Sequence, residues 1–253
     1  MKKILYIIAI SIIAVAAGSC KKIDNYAAPT ETLTGSVVDA GTGKTVQTEV
    51  GGNGTRVKLL EISWSSNPTP FYFNSMQDGT FNYTKLFAGT DKVSVEGPFV
   101  PLVQTDATGK TIVDQSQTVD IKGVTTLKFS VEPFLRVEWI NEPVYNTSTG
   151  TITATCKFTR GTNNPNFQQN VTDVFLFVNS NGYVGNNNYD NRYSQRIVYS
   201  GTNGNSQIGQ TITLTTNSGS LPGKRQYFLR VGARVAYGLN YYNYTDVKTV
   251  TVP

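Results

Sequence analysis

The side chains of this sequence best suited to chemistry are aromatic rings set among amides. Tyr183, Tyr189 and Tyr193 stand with Asn181, Asn186 to Asn188, Asn191 and Arg192, and Tyr237, Tyr241, Tyr242 and Tyr244 stand beside Asn240 and Asn243. Sugar rings present apolar faces that stack on Tyr and Trp, while amides and charged groups bond their hydroxyls. Both clusters therefore fit carbohydrate binding. Trp64, entering the run Ser65-Ser-Asn-Pro-Thr-Pro70, is the equivalent candidate earlier in the chain. The candidate glycan contacts are Trp64, Tyr183, Tyr189, Arg192, Tyr193, Tyr241 and Tyr242. The competing reading is that these rings pack loops against a scaffold, or make the corner hydrogen bond of an immunoglobulin-like fold. Trp139, which alternates with Val137 and Leu135, reads as core.

Catalysis has less to work with. The 253 residues include no histidine and two cysteines. That removes the Ser-His-Asp triad, the Cys-His pair and the usual zinc sites. Carboxylates remain, and a glycosidase needs two of them flanking the scissile bond. The 17 Asp+Glu are scattered, and Asp39, Asp78 and Asp106 lie at or near Gly, where turns favour Asp. The expectation is a non-enzymatic protein without a cofactor. Asn186-Asn-Asn-Tyr-Asp-Asn191 offers oxygen atoms for calcium but one carboxylate. It reads first as an Asn-rich loop held by side-chain-to-backbone bonds, and no metal site is assigned. Cys156, within the alternating Thr151–Thr159, reads as a small buried hydrophobe.

The elements that must hold these loops are strands. Charged residues make up 15% of the chain, against roughly 25% in an average soluble domain, and Gly, Thr and Asn fill the gap. Short β-branched and aromatic runs recur between turn signals. A first set comprises Leu33–Val38, Arg56–Trp64, Phe71–Asn74, Thr80–Tyr83, Lys92–Glu96, Thr118–Ile121 and Thr125–Val131. After Glu132-Pro-Phe134 a second set follows: Leu135–Ile140, Thr151–Thr159, Val171–Val178, Arg196–Tyr199, Gln210–Thr216, Gln226–Val235 and Lys248–Val252. About seven short strands per hundred residues, with no helical period, predict an all-β chain of two tandem β-sandwich domains. Their expected bounds are 32–132 and 133–253.

The beginning of the chain reads as an address. Met1-Lys-Lys3, the uncharged run Ile4 to Ala17 and the small residues that follow describe a secretory signal peptide, too short for a membrane span. Ala17-Gly-Ser-Cys20 resembles a bacterial lipobox, with Cys20 as the lipid-modified first residue after removal of residues 1–19. Two membrane signals already suffice for stable anchoring, so the expected partner is a membrane, with residues 20–31 as a tether. Residues 21–31 reach about 35–40 Å if extended. Cleavage also takes Lys2 and Lys3, so the formal charge falls from +5 to +3. No basic patch interleaved with aromatics points to nucleic acid.

Two resemblances sharpen this. Leu33-Thr-Gly-Ser-Val-Val-Asp39, Asp78-Gly-Thr-Phe81, Leu86-Phe-Ala-Gly89 and Lys92-Val-Ser-Val95 resemble a transthyretin-like or carboxypeptidase-regulatory-like domain. The sequence departs at Asp91, where that pattern carries an aromatic residue. Such domains carry the fold without the peptidase chemistry. More specifically, Ser19-Cys-Lys-Lys-Ile-Asp-Asn-Tyr26, Thr32-Leu-Thr-Gly35, Val57-Lys-Leu-Leu-Glu61, Gln77-Asp-Gly-Thr-Phe81, Glu96-Gly-Pro-Phe99, Tyr227-Phe-Leu-Arg-Val-Gly-Ala-Arg234 and Tyr242-Asn-Tyr244 resemble the DUF3823 family of Bacteroidetes lipoproteins over residues 20–253. That resemblance implies an immunoglobulin-like or fibronectin-III-like second domain and a role beside SusC/SusD-type outer-membrane systems for polysaccharide utilisation. The expected function is accessory binding of a polysaccharide or oligosaccharide by a surface-exposed, lipid-anchored outer-membrane protein. The alternatives are a protein-interaction subunit of the uptake complex that touches no sugar and, more remotely, an adhesin.

Overall fold

The computed structural model describes residues 27–217 and 219–253. The signal peptide, Cys20 and most of the expected tether lie outside the described residues. In chain order the first half forms β1 (Glu31–Asp39), β2 (Arg56–Glu61), β3 (Phe71–Asn74), β4 (Thr80–Leu86), β5 (Gly89–Glu96), β6 (Val103–Thr105), β7 (Thr111–Asp114), β8 (Gln117–Ile121) and β9 (Val124–Val131). The second half forms β10 (Leu135–Trp139), β11 (Val144–Asn146), β12 (Thr151–Arg160), β13 (Val171–Asn179), β14 (Gln195–Val198), β15 (Ile212–Thr215), β16 (Arg225–Val235), β17 (Asn243–Tyr244) and β18 (Lys248–Val252). The chain is all-β, as its alternation predicts.

In the first sandwich a sheet ordered β4-β1-β9 faces one ordered β3-β2-β5-β8, and β6 and β7 form a separate hairpin. Alternate residues of each strand, among them Leu33, Val37, Val57, Leu59, Val93, Val95, Leu127 and Phe129, make its core. β1 runs parallel to β9 and antiparallel to β4. It carries Gly35 at mid-strand because a Cβ there would lie 2.0 Å from the Leu127 carbonyl oxygen and 2.6 Å from the Phe81 ring. Close backbone approach is a recognised reason for a glycine inside a strand.

The second sandwich has split edges. β10 and β11 lie in succession along one edge of β12, with β15 on the other. Pro143, which cannot donate to a ladder, falls at the first split. Facing them, β14-β13-β16 is completed by β17 and β18, which pair in succession with β16. Counting each split edge once, three strands face four, the immunoglobulin/fibronectin-III arrangement. The Tyr227 hydroxyl donates to the Pro222 carbonyl at 3.1 Å, so Tyr227 supplies the tyrosine corner. Tyr193 packs edge-on against its ring at 6.3 Å.

The outer face of β13 is buried too. Its run Val174-Phe-Leu-Phe-Val178 lacks alternation because Val174, Leu176 and Val178 enter the sandwich core, while Phe175 and Phe177 form a third cluster with Val184, Tyr242 and Tyr244. A strand covered on both faces reads as a continuous apolar run. The first domain meets this layer at Arg230 and Tyr244. The Arg230 guanidinium, fully buried, donates to Thr245 O at 2.9 Å and across the junction to Thr48 O at 2.8 Å. Its carbon lies 4.2 Å from the Tyr244 ring centroid. The Tyr244 hydroxyl donates to the buried Glu49 carboxylate at 2.6 Å, which also accepts from Asn186 N at 2.5 Å. The two sandwiches are thus clasped through residues 48–53, which strand alternation did not announce.

Candidate functional site

A cleft of about 900 Å³ lies between the sandwiches. Ligand pockets favour such domain junctions and volumes of roughly 300–1,000 Å³. One wall comes from the second domain, where β10 leaves its sheet at Trp139 and passes through Ile140, Asn141 and Glu142, with Lys248 beside them on β18. The opposite wall is the turn after β1, carrying Thr42, Lys44, Thr45 and Gln47.

The Trp139 ring is fixed in place. Its Nε1–H donates to the Asp246 carbonyl at 3.0 Å, at the break between β17 and β18. The indole is partly buried against the second core while also lining the cleft. Around it, Lys248 Nζ donates to Glu142 Oε1 at 2.7 Å and Asn141 Nδ2 donates to Thr155 Oγ1 at 3.3 Å. An ion pair joins the two walls. Arg136 Nε and Nη2 donate to the Asp39 oxygens at 2.5 and 2.8 Å, and Gly41 N adds 2.8 Å to the same carboxylate. Burial pushes the Asp39 carboxyl up, but the bonds from Arg136, Gly41 and Thr42 outweigh it and hold the group below the ordinary carboxylate value. The cleft thus offers one anchored aromatic face, amides and ion-paired charges, the chemistry that stacks a sugar and bonds its hydroxyls.

The structure separates the residues that the sequence groups together. Tyr183 is exposed, with its backbone turn held by the Asn181 and Asn188 side chains. Tyr189 is only partly open, because its ring packs edge-on against Phe175 at 5.0 Å and Phe177 at 5.6 Å. Arg192 is exposed, pairs with Asp190 at 2.6 Å and lies over the Tyr193 ring at 5.1 Å. Tyr193 and Tyr242 are corrections. Both are buried and have no ring face to offer a ligand. Tyr193 belongs to the second core through the Tyr227 corner, and Tyr242 packs under the covering loops with Phe177 at 5.3 Å. Tyr241 lines a smaller groove of about 280 Å³ between the domains with Arg56, Lys58, Glu96 and Tyr237. Its hydroxyl donates to Gly52 O at 3.0 Å.

Trp64 is exposed at the end of the first domain where β1 begins, away from the second domain, 6.3 Å from Phe87. It shares no wall with either groove. The Asn186–Asn191 loop commits its side chains to the protein: Asn187 bonds Val50 O and Asn53 of the first domain, Asn188 bonds Asn179 and Tyr183 O, and Asp190 bonds Arg192. Among the described residues no group of three or more His, Cys, Asp or Glu could hold a metal ion. Cys156 is buried, and burial pushes its thiol up to about 12.

Sequence reasoning passed over Trp139, Asn141, Glu142, Lys248, Lys44 and Gln47. Trp139 has the right parity for the core and does touch it, but it sits on the last residue of its strand, at an open edge. The available signal was the polar stop Asn141-Glu-Pro143 directly after it, the same pattern that drew attention to Trp64.

Comparisons with known proteins bear on the whole arrangement. The model described as "Protein of unknown function (DUF3823) N-terminal domain" matches residues 31–132, and "Domain of unknown function (DUF3823_C)" matches residues 139–249. A DUF3823 family protein from Bacteroides uniformis ATCC 8492 is 36% identical, with a TM-score of 0.82 over 89% of this chain and 100% of its own. A protein of the same organism described as a "putative carbohydrate binding protein" is 24% identical, with a TM-score of 0.68 over 88% of this chain and 100% of its own. A DUF3823 family protein from Parabacteroides merdae ATCC 43184 shares the fold at 20% identity and a TM-score of 0.66, covering 89% of this chain and 100% of its own. No curated protein matches.

Proposed function

This chain belongs to the DUF3823 family, and on that premise we propose that it is a non-catalytic carbohydrate-binding protein whose ligand lies in the cleft between its domains. The observation that carries the reading is the anchored Trp139 ring on the wall of an approximately 900 Å³ cleft, with Gln47, Asn141, Glu142 and Lys248 around it. Trp139 stacks one sugar ring, and the amides and the Glu142–Lys248 pair bond hydroxyls of that unit and its neighbours. Two further facts support the reading. A protein of the same fold is described as a "putative carbohydrate binding protein", and three of the four carboxylates lining the cleft, Asp39, Glu138 and Glu142, are each paired with a cation.

The lipobox-like Ala17-Gly-Ser-Cys20 supports an outer-membrane lipoprotein exposed at the cell surface. The sequence resemblance supports work beside SusC/SusD-type proteins, to which such a protein would present captured glycan. A polysaccharide array probed with the chain from Cys20 onward tests the function. Binding that is lost in Trp139→Ala and kept in Tyr183→Ala supports the cleft. An array on which nothing binds refutes it and leaves the interaction-subunit reading.

A further inference from the structure

The first domain has two ends. β1 and β9 run side by side from one end to the other, and at the far end Asp39 meets Arg136 of the second domain. The near end is where the tether enters. There Glu31 lies opposite Leu86, Thr32 opposite Val124, Gly89 opposite Ile121 and Glu61 opposite Asp91. The turns at this end therefore share one pole, and they carry exposed apolar side chains. Trp64 is 65% exposed, Phe87 48% and Val124 72%, with Ile62 exposed beside them. The Trp64 and Phe87 rings are neighbours at 6.3 Å.

The charges at this pole suit an interface. Lys85 and Lys122 are exposed, and their stems can lie along apolar surface with the ammonium in water. The nearby carboxylates turn back onto the protein. Glu31 accepts from Gly123 N, Glu61 from Ser63 N at 2.9 Å and Trp64 N at 3.2 Å, and Asp120 from Thr90 Oγ1 at 2.6 Å. Rings with a polar edge beside lysines are the side chains that populate a membrane–water interface.

We propose that this pole, with Trp64, Phe87 and Val124 at its tip, rests in the interfacial layer of the bilayer to which Cys20 anchors the chain. The occupant is named by the tether. β1 begins at this pole with Glu31, and the eleven residues Lys21 to Glu31 that join it to Cys20 reach at most about 35–40 Å. An acylated Cys20 thus keeps this end of the domain nearest the lipid, where burying apolar area is favourable. The consequence is an orientation: the cleft stands at the opposite end of the first domain and opens away from the membrane. The proposal rests on the lipid-anchor reading and is independent of what the cleft binds.

The test uses the chain from Cys20, which contains the whole described fold. Cys20 is coupled to a maleimide phospholipid in phosphatidylcholine vesicles, so that anchoring does not depend on biosynthesis. Cys156 does not compete, being buried. Emission of the parent minus that of Trp64→Phe isolates the exposed Trp64 without disturbing Trp139. The expected result is that Trp64 loses quenching by aqueous iodide and gains quenching by phosphatidylcholine brominated in its acyl chains. Trp64 that stays open to iodide and insensitive to brominated lipid overturns the proposal. The anchor reading is tested apart, by mass spectrometry of Cys20 in protein taken from bacterial membranes. Absence of acyl chains there removes the anchor, and with it the orientation in the cell, whatever the vesicles show.

Discussion

Asp91 is the residue at which the first sandwich is least at ease. It sits on β5 in register with Glu61 on β2 and Val119 on β8, and it is 5% exposed. Burial, with the Glu61 carboxylate adding to it, pushes its carboxyl up from 3.8 to about 6. In the unfolded chain the group sheds its proton near 3.8, while the fold keeps it to about 6. Its favourable contribution is therefore present below about pH 4, falls as pH rises, and is gone above the folded value. A change of that size corresponds to about 3 kcal/mol. Asp91→Asn keeps the shape and cannot ionise. We expect it to match the parent at pH 4 and to exceed it by up to ~3 kcal/mol at pH 7.5. With a urea slope of roughly 2–3 kcal/mol/M, the unfolding midpoint would move up by about 1 M. Urea titrations followed by circular dichroism at pH 4, 5, 6, 7 and 7.5 give the difference curve directly. A variant that runs parallel to the parent at every pH, or that is weaker at pH 7.5, would refute the reasoning.

Other outcomes follow from the same geometry. Arg230→Met strands the Thr48 and Thr245 carbonyls in a buried interface. At roughly 1–3 kcal/mol per unsatisfied group, it should lower the unfolding midpoint and raise the proteolysis rate of residues 48–53. Tyr227→Phe removes only the corner bond to Pro222 and should cost about 1 kcal/mol in equilibrium unfolding, with glycan binding unchanged. Gly35→Ala forces a methyl against Leu127 O and Phe81. It should lower the yield of folded protein far more than Gly43→Ala, whose cost is confined to its positive φ. Native Cys156 should resist a disulfide reagent at pH 8 and react once urea opens the second core, read from the rate of thiol release.

Strand alternation made most of the fold legible. Val57, Leu59, Val93 and Val95 face inward with the period that a half-buried sheet demands. Three things escaped it. β6, β7, β11 and β17 have three, four, three and two residues, too few to establish a period. The cover over Phe175 and Phe177 includes Tyr242 and Tyr244, more than sixty positions away, which no local pattern carries. For the same reason Tyr242 and Tyr193 read as loop aromatics and proved to be packed ones. Of the candidate site, the residue types were legible and their placement was not: an aromatic ring among amides lines the cleft, but it is Trp139, at a strand end whose parity pointed to the core.

The clasp at Arg230 and Glu49 has a consequence for how such a chain can be taken apart. In sequence the two sandwiches are beads on a string, separable at Pro133. Energetically they share a buried polar clasp, since Arg230 and Tyr244 find acceptors in Thr48 and Glu49 of the other bead. A second domain cut free at residue 133 would carry a cation and a hydroxyl that have each lost a buried acceptor, at a cost of roughly 1–3 kcal/mol per group. Transplanting the second half into another protein would therefore require bringing residues 48–53 with it.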